Sequence, residues 1–150
     1  MSSAQLKKIP GGEAAPYVGA LLRLAHGTAR AHMLQGLAER GFGEIDEAYF
    51  GLFQYPGIDG MRPSALAKLL GVSKQALNHL LGQIEKRGYI ERRSDPTKAH
   101  VVVVYTKRGW QVLESNIAIV RELETEWQRQ LGKTRFVELK KTLRELSGAD

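Results

Sequence analysis

The segment RPSALAKLLGVSKQALNHLLGQIEKRG, residues 62–88, constrains the fold more than any other part of the chain. Its apolar side chains recur with helical spacing on both sides of Gly71, where glycine permits a sharp reversal of the backbone. Ser73 is a typical N-cap residue for the helix that follows. The pattern therefore predicts two helices, about Pro63 to Leu70 and Ser73 to Gly88, joined by a tight turn.

The second of these helices is expected to have two chemically different faces. Four aliphatic residues follow the i, i+3, i+4, i+7 rule and should pack inward, beside the inward-facing residues of the first helix. The opposite face is predicted to be polar. The inward set is Leu77, Leu80, Leu81 and Ile84, with Leu66, Ala67 and Leu70 from the first helix, and the outward set is Gln75, Asn78, His79, Gly82 and Lys86.

After Gly88 the pattern becomes strand-like. The runs YIERR and VVVVY flank the loop SDPTKAH, whose Asp-Pro pair is typical of a turn, so a β-hairpin is predicted. Thr106 should cap a long helix that ends near Leu131, and Gly132 should interrupt it. A last amphipathic helix is expected from Thr134 to Leu146.

Two helices are expected before the central segment. The first follows Pro16 and runs to Arg40, and the second covers Glu44 to Gln54. We predict one chain with three parts: N-terminal helices over 13–54, a central lobe over 62–109 and C-terminal helices over 110–150. The predicted apolar positions of the outer helices are Tyr17, Leu21, Leu24, Ala25, Met33, Leu37, Ile45, Ala48, Tyr49, Leu52, Trp110, Leu113, Ile117, Val120, either Leu123 or Leu131, Trp127, Phe136, Leu139, Leu143 and Leu146.

Positive charge is concentrated in the central segment. From Arg62 to Gly109 there are ten Lys and Arg residues against three Asp and Glu, a net charge of +7, whereas the rest of the chain has twelve against thirteen, or −1. A basic block confined to one folded segment is the electrostatic footprint expected of a phosphate-binding surface.

A pair of crossed helices followed by a two-stranded ribbon is a winged helix-turn-helix. The predicted fold class is therefore mainly α with a small β-hairpin wing. The major groove, about 12 Å wide, admits one helix, whose N-terminal half reads base edges. The residues predicted to contact double-stranded DNA lie on the second helix (Ser73, Lys74, Gln75, Asn78, His79, Lys86) and on or beside the hairpin (Arg92, Arg93, Lys98).

Composition excludes several other classes. Without cysteine the chain has no disulfide or thiolate metal site, and its four histidines are too far apart for an i, i+4 metal pair, so neither metal nor cofactor is predicted. No catalytic triad, Walker loop or dinucleotide glycine motif is visible, which argues against an enzyme. With no apolar run of about 20 residues and no secretory signal, the expectation is a cytoplasmic protein without a membrane span.

The segment from Arg62 to Gly109 resembles the MarR (multiple antibiotic resistance regulator) family of bacterial transcription factors. The most specific pieces are LAKLLGVSKQ, LLGQIEKRGYIERR and TKRG, the last at residues 106–109. The resemblance implies a homodimer whose terminal helices pack together and hold two winged lobes over a palindromic site. One departure concerns the wing: the family's Asp-x-Arg element, whose arginine enters the minor groove, is matched here by Thr97 and Ala99, so Lys98 or Arg93 would have to substitute.

Two interpretations of function follow. The first is a sequence-specific DNA-binding regulator, a homodimeric repressor that occludes a promoter, and the resemblance adds a small aromatic ligand as a candidate effector. The second is a winged module that binds RNA or a protein partner, because a fold does not fix a function. Aromatic and histidine side chains are candidates to line a ligand cleft, with ordinary core packing as the alternative: His26, Tyr49, Phe50, Phe53, Tyr55 and Trp110.

Overall fold

The computed structural model describes residues 16–53, 58–97 and 99–149. Within these residues the chain forms six α-helices, one short 3-10 turn and one antiparallel hairpin, so the predicted mainly helical fold with a β-hairpin is confirmed. The elements are α1 (Val18–Glu39), α2 (Glu47–Phe50), the 3-10 turn (Gly51–Phe53), α3 (Pro63–Leu70), α4 (Lys74–Lys86), β1 (Ile90–Ser94), β2 (Val101–Tyr105), α5 (Lys107–Leu131) and α6 (Lys133–Ser147).

The chain divides into two compact units, and the boundary between them lies within α1, after His32. In the first unit the helix presents large apolar side chains to solvent: Leu21 is 50% exposed and Leu24 is 53% exposed. The second unit begins at Met33 and contains the other elements and the main hydrophobic core. In the described part of the chain, none of the helices is both long enough and apolar enough to span a bilayer.

The turn between α3 and α4 forms as the sequence predicts. Gly71 adopts a left-handed conformation with φ of 66°, which costs glycine little, and the Val72 amide donates to the Ala67 carbonyl at 3.0 Å. Ser73 then caps α4, its hydroxyl accepting a hydrogen bond from the Ala76 amide at 3.1 Å. The predicted bounds of both helices are confirmed to within two residues.

The core of the second unit lies where α3, α4 and the hairpin meet. Five of the seven predicted inward residues of these helices are buried, and Leu70 and Leu80 are partly buried against the same core. In the hairpin, Ile90 pairs with Tyr105 and Ser94 pairs with Val101. Met61, just before α3, forms a further antiparallel β-bridge to Val103 of β2. This bridge fixes the wing beside the two crossed helices.

Thr106 joins the hairpin to α5. Its hydroxyl accepts from the Gly109 amide at 3.1 Å, donates to the Gly88 carbonyl at 2.5 Å, and its own amide donates to the Tyr89 carbonyl at 3.1 Å. A Cβ atom at Gly109 would collide with the backbone carbonyl of Tyr89. The TKRG motif is therefore a helix cap that also holds the residues after α4 in contact with the start of α5.

The predicted helix from Glu44 to Gln54 is wrong in its extent. The α-helix covers only Glu47–Phe50 and tightens into the 3-10 turn Gly51–Phe53, while Gln54 lies outside the described residues. It begins three residues late because the side chain of Asp46 accepts a hydrogen bond from the Ala48 amide at 2.9 Å, which makes Asp46 the N-cap. Ala48, predicted to be apolar and inward, is exposed.

The predicted apolar face of α5 is also partly wrong. Trp110 and Ile117 are each 41% exposed, whereas Val112, Asn116 and Ile119 are buried together with the correctly predicted Leu113 and Leu123. In α6 Phe136 is buried, whereas Leu143 and Leu146, also among the predicted apolar positions of this helix, are exposed. These helices carry apolar residues on more faces than one chain covers.

Candidate nucleic-acid interface

The outward face of α4 is open to solvent. Lys74, Gln75, Asn78 and His79 are all exposed, and Ser73 and Lys86 are exposed at the two ends of the helix. Leu77, Leu81 and Ile84 are buried on the opposite side. The structure therefore brings the predicted base-reading residues together on one accessible surface.

A shallow groove with three cationic side chains runs between α3 and α4. Its lining includes Arg62, Ser64, Lys68 and Lys74. A neighbouring groove shares Ser64 and Lys74 and extends to Asn78, so this positive charge adjoins the exposed polar face of α4. Arg62 and Lys68 were absent from the residues predicted to bind DNA. The charge count of the segment contained both residues, but only the crossing of the helices shows that they join Lys74.

Arg92, predicted to contact DNA from the hairpin, is engaged within the chain. Its guanidinium donates from Nε and Nη2 to Glu85 Oε2 at 3.0 and 2.7 Å, and its backbone amide donates to Oε1 at 2.9 Å. The side-chain hydrogen bond from Arg92 holds the pKa of the Glu85 carboxyl below its usual value, although partial burial opposes the shift. This pair ties the first strand of the wing to the last turns of α4.

The second wing arginine is also paired. Arg93 donates from Nε to Glu91 Oε2 at 2.8 Å, across one residue of the same strand. The wing turn is closed by Asp95, whose Oδ1 accepts from the Thr97 amide at 2.9 Å and from the Thr97 hydroxyl at 2.7 Å. Lys98 lies outside the described residues. Among the described residues of the wing, both arginines are thus neutralised by neighbouring carboxylates.

A short hydrogen-bonded chain reaches the outward face of α4 from α2. The Tyr49 hydroxyl donates to Gln83 Oε1 at 2.8 Å, and Gln83 Nε2 lies 2.9 Å from His79 Nε2. Tyr49 is 4% exposed and its ring lies 4.7 Å beneath the Arg87 guanidinium carbon. Sequence reasoning treated Tyr49 and His79 separately and did not select Gln83.

The candidate ligand-lining aromatic residues of the second unit are mostly part of the core. Phe53 is fully buried and stacks on Tyr105, with ring centroids 5.6 Å apart. Tyr49 and Phe50 are also buried, whereas Trp110 lies at the edge of the cluster, 5.2 Å from the Tyr105 ring. His26 is an exposed residue of the first unit, and Tyr55 lies outside the described residues.

Asn116 is a buried polar residue that the sequence analysis missed. Its Nδ2 donates to the Phe53 carbonyl at 3.1 Å, whereas within the described residues its buried Oδ1 has no hydrogen-bond partner. This bond holds α5 against the 3-10 turn. Residue type alone gives no signal for it, because asparagine is usually exposed.

The crossed helices, the accessible polar face of α4 and the paired hairpin define a winged helix-turn-helix protein. Comparison with known proteins finds a match to the MarR family model over residues 55–99. This central part of the chain is therefore similar to MarR family proteins. No curated protein sequence matches the chain significantly.

Solved structures of regulators share this fold over most of their length. The transcriptional regulator Tm0710 from Thermotoga maritima is 28% identical, with a TM-score of 0.59, and the match covers 87% of this chain and 91% of that one. The transcriptional repressor CouR, bound to a 23-mer DNA duplex, is 20% identical with a TM-score of 0.72, covering 93% and 99% of the two chains. The Mycobacterium tuberculosis MarR family protein Rv2887, in complex with salicylic acid, is 22% identical with a TM-score of 0.64, covering 87% and 96%.

Proposed function

We propose that this chain binds double-stranded DNA sequence-specifically, with α4 in the major groove, and regulates transcription as a homodimer. The observation that carries the proposal is the accessible polar face of α4 beside the groove formed by Arg62, Lys68 and Lys74. Amide side chains such as those of Gln75 and Asn78 can pair with adenine N6 and N7, and the cations supply phosphate contacts. The DNA-bound structure of CouR, which shares the fold, supports the same role.

The pairing of the wing arginines indicates which part of the protein contacts the DNA backbone. Because Arg92 and Arg93 are paired with Glu85 and Glu91, the wing offers little free positive charge among its described residues. We infer that backbone contacts come mainly from the α3–α4 groove, and that the wing contributes less than in relatives with a minor-groove arginine. Lys98 remains a predicted wing contact.

Homodimerisation is proposed from exposed apolar surface. Leu21 and Leu24 on α1, and Val137 and Leu146 on α6, are large apolar residues that a monomer leaves at least half exposed. A twofold dimer would cover such surface and would place two copies of α4 about one helical turn apart, 34 to 36 Å, over a palindromic operator. Occupation of a promoter by such a dimer would repress transcription.

Selection of bound fragments from random duplex DNA tests the proposal. We expect a palindromic motif, and an affinity for it that falls steeply with salt because several phosphate contacts release counterions. Structured RNA serves as the competing ligand. Tighter binding to RNA than to any selected duplex, or an affinity that does not change with salt, would overturn the DNA assignment in favour of the RNA or protein module.

We also propose that a small aromatic ligand binds this protein and causes it to dissociate from its operator. Structures that share the fold hold p-coumaroyl-CoA in CouR from Rhodococcus jostii and salicylic acid in Rv2887. In this chain Trp110, at the edge of the aromatic cluster, is the natural fluorescence reporter, with Trp127→Phe removing the other tryptophan. We expect salicylate or 4-hydroxycinnamate to lower operator affinity and change Trp110 emission. If neither compound changes the operator affinity, the proposed ligand response is contradicted, whereas the proposed DNA binding is not.

A further inference from the structure

The hydrogen-bonded chain from Tyr49 to His79 has a fixed direction. Tyr49 is buried, and within the described residues its hydroxyl has no acceptor other than Gln83 Oε1, 2.8 Å away. The hydroxyl therefore donates to that oxygen, which leaves the Gln83 amide nitrogen facing His79 Nε2 at 2.9 Å. An amide nitrogen only donates, so with the Gln83 amide in this orientation His79 Nε2 is the unprotonated acceptor.

This direction determines the protonation of the other imidazole nitrogen. A neutral histidine carries one proton, and the hydrogen bond made by one ring nitrogen decides which nitrogen holds it. With Nε2 accepting from Gln83, the proton of neutral His79 resides on Nδ1. His79 is exposed on the outward face of α4, and in the described part of the chain its Nδ1 has no hydrogen-bond partner.

We propose that Gln83, anchored by Tyr49, is a specificity-determining residue that makes His79 a hydrogen-bond donor to a base edge. The proposal rests on the proposed DNA-binding function. A donor at Nδ1 selects acceptors in the major groove, which are purine N7, guanine O6 and thymine O4. It disfavours the amino groups of cytosine and adenine, since two donors cannot pair. Gln83 is a positioning residue here, because it acts on DNA through His79.

The histidine tautomer can be read in the DNA-free protein by long-range ¹H–¹⁵N correlation spectroscopy of the imidazoles, above the pH range where histidine titrates. For the unmodified chain we expect His79 to be protonated on Nδ1. In Gln83→Glu the carboxylate requires a donor, so the proton should move to Nε2. In Tyr49→Phe the amide loses its anchor and a mixture of tautomers is expected, with the His100 signals unchanged in each variant.

Operator binding provides the second measurement. At one base pair of the selected motif, the unmodified protein should prefer an acceptor edge over an amino group by about fivefold, the contribution of one hydrogen bond. Gln83→Ala should abolish this preference without changing the affinity for random duplex. Gln130→Ala is the matched control, because Gln130 makes a similar i, i+4 hydrogen bond, to Glu126, on the exposed surface of α5.

The tautomer spectra and the binding assay distinguish a failure of the inference about Gln83 from a failure of the proposed DNA-binding function. A His79 proton on Nε2 in the unmodified chain, or a tautomer that Gln83→Ala leaves unchanged, would overturn the inference. So would an unchanged base preference in Gln83→Ala with the operator still bound. Failure to bind any duplex would instead overturn the proposed function, and the spectra would still decide whether Gln83 fixes the tautomer.

Discussion

At the residue scale, single side chains hold the wing and α5 in place. Glu85 spans from α4 to the wing, because its two carboxylate oxygens accept from the backbone and the guanidinium of Arg92. Gly109 allows the start of α5 to lie directly against the Tyr89 carbonyl. Both contacts position the wing relative to the helix proposed to read DNA.

Glu85→Gln tests the first contact through its pH dependence. Arg92 holds the pKa of Glu85 below its usual value in the folded chain, so the pair stabilises the fold above the carboxyl titration range and this stability is lost as the pH falls through the folded pKa. We expect Glu85→Gln to lower the free energy of unfolding by about 1 kcal/mol near neutral pH, because the pair is partly exposed, and by little in acid.

Urea denaturation at several pH values measures this difference. Glu114→Gln, which changes an exposed carboxyl on α5, is the matched control and should have a small effect at every pH. A Glu85→Gln difference that persists undiminished in acid would show that the carboxylate charge is not the stabilising feature.

Gly109→Ala tests the second contact. The added methyl group would meet a backbone oxygen that cannot rotate away, so the start of α5 must move and Thr106 loses its cap geometry. We expect a loss of stability of about 2–4 kcal/mol, seen as an earlier thermal or urea transition. Alanine at Gly82, where the added atom has nothing within 4 Å, is the control and should be neutral or stabilising. Equal effects of the two substitutions would contradict the collision.

The sequence identifies residues of this kind only in part. The TKRG motif could be recognised, and Thr106 was predicted as a cap, but the reason for Gly109 depends on Tyr89, twenty positions earlier in the chain. The outward face of α4 follows from helical periodicity. The partners of Arg92, Arg93 and His79 do not, since hydrogen bonds between side chains leave no periodic signal.

At the element scale, the contact between Gly36 at the end of α1 and α5, both in the second unit, shows why the predicted face of α5 was partly wrong. Gly36 leaves room for Ile119, so this buried contact occurs at a position outside the predicted stripe. Trp110 and Ile117, which the prediction placed among the apolar positions of this helix, are each 41% exposed. Periodicity in one chain cannot distinguish the face that packs internally from the face left for another contact.

Gly36→Ala tests this contact. Its Cβ would lie 2.9 Å from Ile119 Cγ1 and 3.0 Å from two further carbons of that side chain, closer than carbon atoms normally approach. The helices must separate or Ile119 must change rotamer, at a cost of about 1–3 kcal/mol in unfolding free energy. Ile119→Val in the same chain should restore part of the loss, measured by a double-mutant cycle. Simple additivity of the two substitutions would contradict direct contact.

At the scale of the whole molecule, charge and exposed apolar surface are segregated along the chain. The net charge of +7 lies in the central segment, whereas the two most exposed large apolar side chains, Val18 and Leu146, lie on α1 and α6. Such a division suits a protein that contacts an anion with its middle and a second copy with its ends. The sequence predicted this division, but it could not show which apolar residues a single chain leaves uncovered.

Sedimentation measures the proposed dimer. We expect twice the chain mass for the unmodified protein and a shift to monomer when Leu21 and Leu24 are both changed to glutamate, because the exposed apolar surface of α1 would then carry unpaired charge. Val101→Glu, at a side chain that is 44% exposed on the wing, is the matched control and should remain dimeric. A monomeric unmodified chain would contradict the proposal.

The most direct test of the central claim, that the exposed face of α4 reads base pairs, compares Asn78→Ala with Lys68→Ala on the selected operator and on random duplex at one salt concentration. Asn78→Ala should weaken operator binding by about tenfold or more and leave random binding nearly unchanged, because it removes a base contact. Lys68→Ala should weaken both alike, because it removes a phosphate contact. Equal losses for Asn78→Ala on both duplexes would contradict the claim.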